Sequence, residues 1–296
     1  MDWADRFANV RRWTRGGERA AHKPLLLLYA LGQFQRQADE PILFSAAEAS
    51  LARLLAEFGP PRRSTPAYPF HYLTSDGLWT VSTPDGGASP GPSPSALRSQ
   101  QAAGRFTPEL ASSLRAEPGL LPRLARVVLD TNFEPSLHAD ICAAIGLDLE
   151  AAETGAAGEA ERRRRDPEFP RLVLMAYEYK CAFCEFDGAL DNGSVPGLEA
   201  AHVRWWTHGG PNDVDNGLCL CSIHHKLFDK GVVGVTGERV ITVSQHFTAR
   251  SRAAQHLVYD LSGRPASRPL RGYPAVAAEH AAWHAREVFR APARAA

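Results

Sequence analysis

The chain carries two short-spaced pairs of metal-binding side chains. Cys181 and Cys184 form a CxxC pair, and Cys221 and His224 form a CxxH pair further along the chain. Two intervening residues let a tight turn direct both side chains of a pair at one ion, and thiolate with imidazole is the donor set of structural Zn²⁺ sites. Cys219 is the alternative third ligand, because strand alternation would point it the same way as Cys221. We prefer Cys221, because its spacing to His224 repeats that of the first pair, and we expect a closed structural zinc site.

A second set of polar residues, His202, Asn216 and His225, is interleaved with these pairs and is not needed to close the zinc site. In the segments LEAAHV, NGL and HHKLFD, the sequence resembles the zinc-bearing subgroup of the HNH endonuclease family. The resemblance implies a ββα-metal fold in which His202 is the general base and His225 binds a catalytic divalent ion, Mg²⁺ or Mn²⁺. Asn216 would then fix the loop that positions His202, or lie close enough to touch the metal. Phosphodiester hydrolysis needs a base to activate water and a cation to stabilise charge on the phosphate.

One position departs from this resemblance. Many family members carry Asp or His directly before the base histidine as a second metal ligand, and here that residue is Ala201. Glu199 shares a strand face with Ala201 and is one substitute, while Asp229 or water is another. The sequence leaves these alternatives open.

The elements around these residues indicate an α+β protein. The second half predicts a helix from residue 167 to about 179, a hairpin that turns at Thr236-Gly237, and a helix in the tail from 275 to 289. In the first half, apolar spacing predicts helices that begin at HKPLLLLYAL and at Pro108, and others over 45–58, 120–133 and 135–145. The segment FHYLTSDGLWTV reads as two short strands about an SDG turn, and residues 81–105 read as a long exposed loop. We expect a helix-rich domain over 1–150 with a small hairpin, a linker over 151–166, and a nuclease domain over 167–296.

The composition limits the kinds of partner that the chain is expected to bind. The 33 basic and 33 acidic residues balance, so DNA binding must come from local clusters. Such clusters are the basic residues from Arg6 to Lys23 and the run Arg162 to Arg165. The longest apolar run, Leu25 to Leu31, is far shorter than the ~20 residues that a membrane-spanning helix needs. With four of its five cysteines crowded into one segment, the chain is typical of a reducing compartment. We expect a soluble cytoplasmic protein with no membrane partner.

The first half also carries recognisable segments. RAAHKPLLLLYAL, AYPFHYL and DGLW together resemble the sulfur-binding domain of type IV restriction endonucleases that attack phosphorothioated DNA, a domain that precedes an HNH domain in that family. The resemblance implies binding to double-stranded DNA that carries a phosphorothioate. The candidate DNA-binding residues are, for the sulfur cup, Tyr68, Pro69 and Tyr72, and for neighbouring phosphates or base edges, Arg19, His22 and Lys23.

The chemistry of sulfur supports an apolar cup. Sulfur in place of a non-bridging phosphate oxygen is larger, softer and less strongly hydrated, so an apolar surface desolvates it at lower cost. One such atom contributes at most on the order of 1–3 kcal/mol of discrimination, and surrounding contacts must supply much of the affinity.

The sequence thus predicts a modification-dependent DNA endonuclease that restricts modified DNA. One HNH site cuts one strand, so cleavage of both strands implies a homodimer or two successive binding events. Two alternatives remain open. The reader domain recognises methylated cytosine or an unmodified sequence in one of them, and in the other the chain is a DNA-binding regulator with a purely structural zinc module.

Overall fold

The computed structural model describes residues 2–11, 21–62, 64–149, 168–191 and 194–295. The chain divides into two compact units, residues 1–160 and 161–296. Both units combine helices with short antiparallel strands, which confirms the predicted α+β class. Within the described residues, no helix is long and apolar enough to cross a membrane. The predicted linker over 151–166, with its run of arginines, lies outside the described residues.

The first unit is built from eight described helices around a small sheet. The helices are α1 (Trp3–Ala8), α2 (His22–Gln37), α3 (Phe44–Phe58), α4 (Ala67–Tyr72), α5 (Pro94–Ser99), α6 (Pro108–Ala116), α7 (Leu120–Asn132) and α8 (Pro135–Ile145). The strands β1 (Ile42–Leu43), β2 (Trp79–Ser82) and β3 (Ala103–Phe106) form an antiparallel sheet in the order β1-β3-β2.

Helix α2 lies at the centre of this unit, as its unbroken apolar run predicts. Pro24 occupies the first helical turn, where its missing N–H has no intrahelical partner to lose. Residues 24–32 are all buried, and α2 contacts α3, α4, α7 and α8. A helix that is apolar on every side needs such a surrounding layer.

The predicted strand before the SDG turn is wrong, because residues 67–72 form helix α4 and residues 73–76 continue it as a 3₁₀ turn. Ala67 and Phe70 are three residues apart and both are buried, so the apolar residues follow a helical period. Phe70 packs edge-to-face on Phe44 and Trp79 at centroid distances of 5.1 and 5.5 Å. Side-chain hydroxyls stabilise the helix end, since Thr74 donates to the carbonyl of His71 at 2.7 Å.

The predicted long loop over 81–105 is also wrong in part. It contains α5, which begins at Pro94 behind the capping side chain of Ser93, and most of β3, which pairs with β2. Gly104 lies under the indole of Trp79, where a Cβ atom would come within 2.1 Å of the ring. The helix predicted over 45–58 is α3, which begins one residue earlier, at Phe44, without a side-chain cap.

The second unit has helix α9 (Glu168–Ala176), the hairpin β4 (Leu198–His202) and β5 (Gly217–Cys221), helix α10 (Ser222–Asp229), the hairpin β6 (Val233–Val235) and β7 (Ile241–Val243), and helices α11 (Arg252–Leu257) and α12 (Ala278–Glu287). Helices α9 and α10 both contact the β4-β5 hairpin. The predicted hairpin that turns at Thr236-Gly237 is formed by β6 and β7, and the predicted helix in the tail is α12, so both predictions are confirmed. The order β4, β5, α10 is that of a ββα unit, and it carries every candidate nuclease residue except those contributed by the connecting loop.

Candidate functional site: a thiolate cluster, a histidine site and an aromatic face

Four predicted zinc ligands lie together in the second unit. The ligand atoms of Cys181, Cys184, Cys221 and His224 are all within 4.8 Å of one another. Cys181 and Cys184 occupy the turn after α9, where Glu185 donates its backbone N–H to the carbonyl of Cys181. Cys221 ends β5, and His224 follows on the first turn of α10.

The spacing of these atoms fits a tetrahedral ion. With Zn–S bonds of about 2.3 Å and Zn–N bonds of about 2.0–2.1 Å, the edges of a tetrahedron are about 3.8 Å for two sulfurs and about 3.6 Å for sulfur and nitrogen. The Sγ atoms of Cys184 and Cys221 are 3.9 Å apart, and Nδ1 of His224 is 3.5 Å from Sγ of Cys181, so these two edges match, while the distance from Nδ1 of His224 to Sγ of Cys221 is shorter, at 3.1 Å. The other nitrogen of His224, Nε2, lies 2.7 Å from the carbonyl of Leu257. Donation to that carbonyl leaves the Nδ1 lone pair for a metal.

Cys219, the alternative ligand, is outside this group of four. It is fully buried in β5, opposite Ala200. Burial, together with the nearby thiols Cys181 and Cys221, raises the pKa of Cys219 to about 12. A thiol held neutral in an apolar core is a poor metal ligand, and the geometry thus brings Cys221 rather than Cys219 into the set.

His202 lies at the end of β4, where it is paired with Gly217 at the start of β5. Its ring is stacked on Phe169 of α9 with the centroids 4.0 Å apart and the planes 12° from parallel. Its Nε2 lies 2.9 Å from Oδ1 of Asn212, in the loop between the strands. An imidazole whose plane and one nitrogen are both fixed presents the other nitrogen in a constant direction, which is what a general base requires.

Asn216 is fully buried, and its side-chain amide bonds to the backbone of the loop after His202. Its side-chain Oδ1 accepts from the backbone N–H of Arg204 at 2.7 Å. Its Nδ2 donates to the carbonyls of Arg204 and Pro211, each at 2.9 Å. One amide thus ties both ends of the loop that follows His202. Of the two roles left open for Asn216, these contacts support the positioning role.

His225 lies between two carboxylates. Nδ1 is 2.6 Å from Oε2 of Glu199, and Nε2 is 3.2 Å from Oδ2 of Asp229, one turn further along α10. Burial by itself would lower the pKa of His225, but the charge and hydrogen bond of Asp229 and those of Glu199 outweigh it and raise the pKa to about 10. The hydrogen bond from His225 in turn lowers the pKa of Glu199 to about 2.

This trio has the donor chemistry of a catalytic cation site. Carboxylate oxygens suit Mg²⁺ and Mn²⁺, and imidazole is the nitrogen ligand of many transition-metal sites. The carboxylates attract positive charge to the ring whether the charge is a proton or a metal ion. Glu199 therefore supplies, from β4, an acidic group that Ala201 does not.

In the first unit, α4 exposes two aromatic rings. The side chains of Tyr68 and Tyr72 are 53% and 50% exposed, and their centroids are 6.2 Å apart. Pro69, the third predicted residue of the sulfur cup, is buried. His71 packs edge-to-face on Tyr72 and bonds to the hydroxyl of Ser89 at 2.7 Å. The accessible apolar surface of this face is therefore provided by the two tyrosines.

The predicted basic contacts differ in their surroundings. Lys23 forms an ion pair with Asp76 at 2.6 Å, so its charge is compensated within the protein. Burial, and then the charge of Arg62, lowers the pKa of His22, so its ring is neutral at neutral pH and can offer a hydrogen bond but no charge. Arg19 lies outside the described residues.

Two polar residues with long-range contacts escaped the sequence reasoning. Asn212 fixes the ring of His202, and Asp76 binds Lys23. Asn212 sits in a Gly-Gly-Pro-Asn-Asp stretch that reads as an ordinary turn, and Asp76 belongs to the predicted SDG turn. In each case the sequence identifies only a turn residue. The partner that gives the residue its role lies elsewhere in the chain, so the sequence does not reveal it.

Comparison with known proteins matches both halves of the chain. The family model described as a ScoMcrA-like DNA sulfur-binding domain matches residues 1–150, half of the chain. The family model described as HNH endonuclease matches residues 181–236, which contain the thiolate cluster and the histidine site. No curated protein matches the chain.

Similar solved structures include the sulfur-binding domain of ScoMcrA complexed with phosphorothioated DNA, at 23% identity and a TM-score of 0.43, with 51% of this chain and 98% of that chain covered. The sulfur-binding domain of SprMcrA complexed with phosphorothioated DNA is 22% identical with a TM-score of 0.41, covering 49% of this chain and 95% of that chain. The type IV phosphorothioation-dependent restriction endonuclease ScoMcrA is 22% identical with a TM-score of 0.40, covering 49% of this chain and 33% of that chain. This chain therefore aligns with a third of that endonuclease.

Proposed function

The chain belongs to the ScoMcrA-like DNA sulfur-binding domain family and carries an HNH endonuclease domain, and from this premise we propose that it binds phosphorothioated double-stranded DNA through its first half and cuts that DNA with its second. The resemblances drawn from the sequence in both halves are confirmed, and with them the assignment as a DNA endonuclease. The single observation that carries the proposal is this pairing of domains in one chain. Restriction of modified DNA is the use to which the pairing is suited.

The division of labour follows the two units. Residues 1–150 read the DNA, residues 151–166 connect, and residues 167–296 cut. Such an enzyme meets its DNA in the cytoplasm, where thiolate ligands also stay reduced.

On the reading side, Tyr68 and Tyr72 supply the exposed apolar surface for the sulfur atom. Pro69, being buried, supports that surface from below rather than lining it. The neutral ring of His22 contributes a hydrogen bond to a phosphate or base edge. Arg19 completes the set as a phosphate or guanine contact, since Arg presents two parallel donors to either.

On the cutting side, His202 takes a proton from a water molecule, whose oxygen attacks the phosphorus while the bond from phosphorus to the leaving sugar oxygen breaks. His225 would hold the divalent cation through one ring nitrogen together with the carboxylate on that side, Glu199 at Nδ1 or Asp229 at Nε2, and the cation when bound would stabilise negative charge on the phosphate. Phe169 and Asn212 keep the imidazole of His202 oriented for the proton transfer. Asn216 holds the loop between them.

The two metals have separate roles in this proposal. Cys181, Cys184, Cys221 and His224 would hold Zn²⁺, and because four protein ligands leave no position for substrate, this ion would serve the fold. The site at His225 would hold Mg²⁺ or Mn²⁺, because these ions prefer carboxylate and water ligands.

A regulator without nuclease activity is the second candidate, and Ala201 is the observation that favours it, since this position carries a metal ligand in many HNH enzymes. Glu199 argues against it, because its carboxylate lies within 2.6 Å of His225. A reader of methylated cytosine is a third candidate, but flipped-base recognition needs an enclosed pocket, whereas the two tyrosines form an open face.

The deciding experiment compares three duplexes of one sequence: plain, carrying a single phosphorothioate, and carrying 5-methylcytosine. We expect tighter binding to the thiolated duplex, and nicking of that duplex when Mg²⁺ or Mn²⁺ is added. Preference for the methylated duplex would replace the sulfur reading. Tight binding without nicking under either ion would establish the regulator.

The same experiment reports the number of copies at work. Cleavage of both strands with a rate that rises more steeply than protein concentration indicates a homodimer, while nicked intermediates that accumulate first indicate two successive binding events.

A further inference from the structure

Asp76, at the end of the 3₁₀ turn after α4, joins segments that are far apart in sequence. Its Oδ2 is 2.6 Å from Nζ of Lys23, on the first turn of α2. Its Oδ1 accepts from the backbone N–H of Arg11 at 2.8 Å. The carboxylate is 4% exposed and the Lys23 side chain 14%. Both oxygens of one nearly buried carboxylate are thus engaged by two different segments.

The backbone at the same turn binds the N-terminal helix. One nitrogen of the Arg6 guanidinium, Nη2, donates to the carbonyls of Asp76 and Gly77 at 3.1 and 2.7 Å. Gly77 has a φ of +66°, and a Cβ atom there would come within 2.6 Å of that Nη2 atom. The left-handed backbone conformation favours glycine at this position. The turn therefore anchors α1 through Arg6 and the chain after α1 through Arg11.

This turn is continuous with the aromatic face. Helix α4, which exposes Tyr68 and Tyr72, runs directly into residues 73–76. Ser75 donates its hydroxyl to the carbonyl of Tyr72 at 2.8 Å, which ties the end of α4 to the turn. Asp76 therefore connects the aromatic face, the first turn of α2 with His22 and Lys23, and the segment that leads to the basic residues Arg12, Arg15 and Arg19 in the sequence.

The ion pair between Asp76 and Lys23 also determines whether the charge of Lys23 is available to DNA. Lys23 is the basic side chain that would otherwise attract any phosphate, thiolated or plain, because attraction to the backbone carries no sequence or modification information. Pairing with Asp76 withholds that charge from plain and thiolated DNA alike, and so lowers the part of the affinity that does not depend on sulfur. Specificity is a difference between two affinities, so the charge alone leaves it unchanged, and the effect of Asp76 on specificity comes from the placement of the aromatic face, on which only the affinity for thiolated DNA depends.

We propose that Asp76 is a specificity-determining positioning residue: its carboxylate sets the N-terminal segment and α2 against the aromatic face that meets the sulfur, and its ion pair withholds the charge of Lys23 from DNA phosphates. This inference rests on the proposed recognition of phosphorothioated DNA. Asp76 itself does not touch the DNA in this proposal, and it acts through Lys23 and Arg11.

The test is Asp76→Asn in the full chain, with Kd measured on plain and thiolated duplexes of one sequence at several salt concentrations. Asparagine retains an oxygen for the N–H of Arg11 and removes the charge that holds Lys23. We expect binding to plain DNA to strengthen, with a salt dependence steeper by about one phosphate contact. Because Lys23 no longer links α2 to the turn after α4, the aromatic face loses a support that only sulfur recognition needs, and we expect the ratio of the Kd for plain DNA to the Kd for thiolated DNA to fall by about three- to tenfold.

Two further variants separate this role from a loss of structure. In Lys23→Met/Asp76→Asn, the gain in plain-DNA binding and the steeper salt dependence disappear, because the released charge is gone. Asp39→Asn is the matched control, since it removes the same charge from another ion pair of the first unit, the one with Arg115. It leaves both Kd values and their ratio unchanged.

The failures are distinguishable. If the wild-type protein itself binds both duplexes equally, the proposed function is wrong, and the specificity role of Asp76 falls with it. If the wild type prefers the thiolated duplex and Asp76→Asn keeps the wild-type ratio, the proposed function stands and the role of Asp76 is overturned. An equal weakening on both duplexes also overturns it, because that is the result of a structural defect alone.

Discussion

The nuclease site and the aromatic face differ in one respect: the residues that fix the geometry of the first are close in sequence, and those that fix the second are far apart. In the nuclease site, each metal-ligand pair spans one turn, and His225 and Asp229 are one helical turn apart. In the first unit, the helix that carries Tyr68 and Tyr72 is joined to Lys23 and Arg11 through Asp76, which lies more than fifty residues away from both in sequence. A short motif carries its own geometry, whereas a binding face that is assembled from distant segments depends on the packing of the whole domain.

The two regions also differ in solvent exposure, and this decides how they respond to substitution. The thiolate cluster and Asn216 are largely buried, so losing one polar group there leaves others without partners. The rings of Tyr68 and Tyr72 are half exposed and contact each other. Substitutions in the nuclease half should therefore change stability or chemistry, and substitutions on the aromatic face should change binding alone.

The largest effect is expected at the thiolate cluster. Cys184→Ala removes one of four ligands, and because structural zinc contributes on the order of 10 kcal/mol to the folding of small zinc modules, the second unit should lose several kcal/mol of stability. Thermal unfolding and zinc content by elemental analysis measure this. Cys219→Ala is the matched control, because it removes a buried thiol outside the cluster. It should retain one zinc per chain and unfold at a slightly lower temperature. Wild-type zinc content in Cys184→Ala would contradict the assignment.

The next effect is on the rate of cleavage. His202→Ala removes the proposed base and should reduce nicking of thiolated DNA by about 10²–10⁴-fold. Zinc content and the Kd for DNA should not change, because the ring contacts Phe169 and Asn212 rather than the thiolate cluster. His256→Ala, on the exposed surface of α11, provides the control histidine. Equal nicking rates for wild type and His202→Ala would mean that another group is the base. The difference drawn here between a second unit that cuts DNA and a first unit that binds it would then have less support.

Asn212, which bonds to the ring of His202, provides a second test of the nuclease site. A residue that positions the base should alter the pH dependence of nicking as well as its rate. Asn212→Ala should lower the nicking rate by about 10–100-fold, as for other residues that orient a reactive side chain. Asn212→Asp restores an oxygen beside Nε2 and adds a negative charge, which favours the protonated ring. The acidic limb of the pH-rate profile should therefore move to higher pH by about one unit or more.

Asp213→Ala, in the same loop, is the control for Asn212 and should keep the wild-type profile. If Asn212→Asp shifts nothing while Asn212→Ala is inactive, the residue supports the loop and does not orient the base.

These contrasts explain how much could be read from the sequence. The zinc ligands, the helices at 120–132 and 135–145, and the ββα order follow from local spacing, because each depends on neighbours within a few residues. The strand predicted before the SDG turn failed for a tertiary reason. Phe70 is buried between Phe44 and Trp79, and this packing favours the helical period of Ala67 and Phe70 over the alternating pattern.

The partners of loop residues cannot be predicted from local sequence patterns, for a similar reason. The pairing of β2 with β3 joins segments on either side of a stretch rich in Gly, Pro and Ser, and it depends on Gly104 admitting the ring of Trp79. Asn212 and Asp76 gain their roles from His202 and Lys23, which no spacing rule connects to them. Such contacts follow from the three-dimensional packing, and so they appear first in the structure.

The smallest effect is expected on the aromatic face. Tyr68→Ala should weaken binding to thiolated DNA by about tenfold and binding to plain DNA by much less, because one sulfur atom contributes on the order of 1–3 kcal/mol and only the thiolated duplex presents it. Zinc content, stability and the nicking rate at saturating DNA should match those of the wild type, since the ring is 53% exposed. Tyr179→Ala, another exposed tyrosine but in the second unit, should leave both Kd values unchanged. A uniform loss on both duplexes in Tyr68→Ala would mean that the ring binds the sugar-phosphate backbone, and sulfur recognition would then have to be sought on another surface of the first unit.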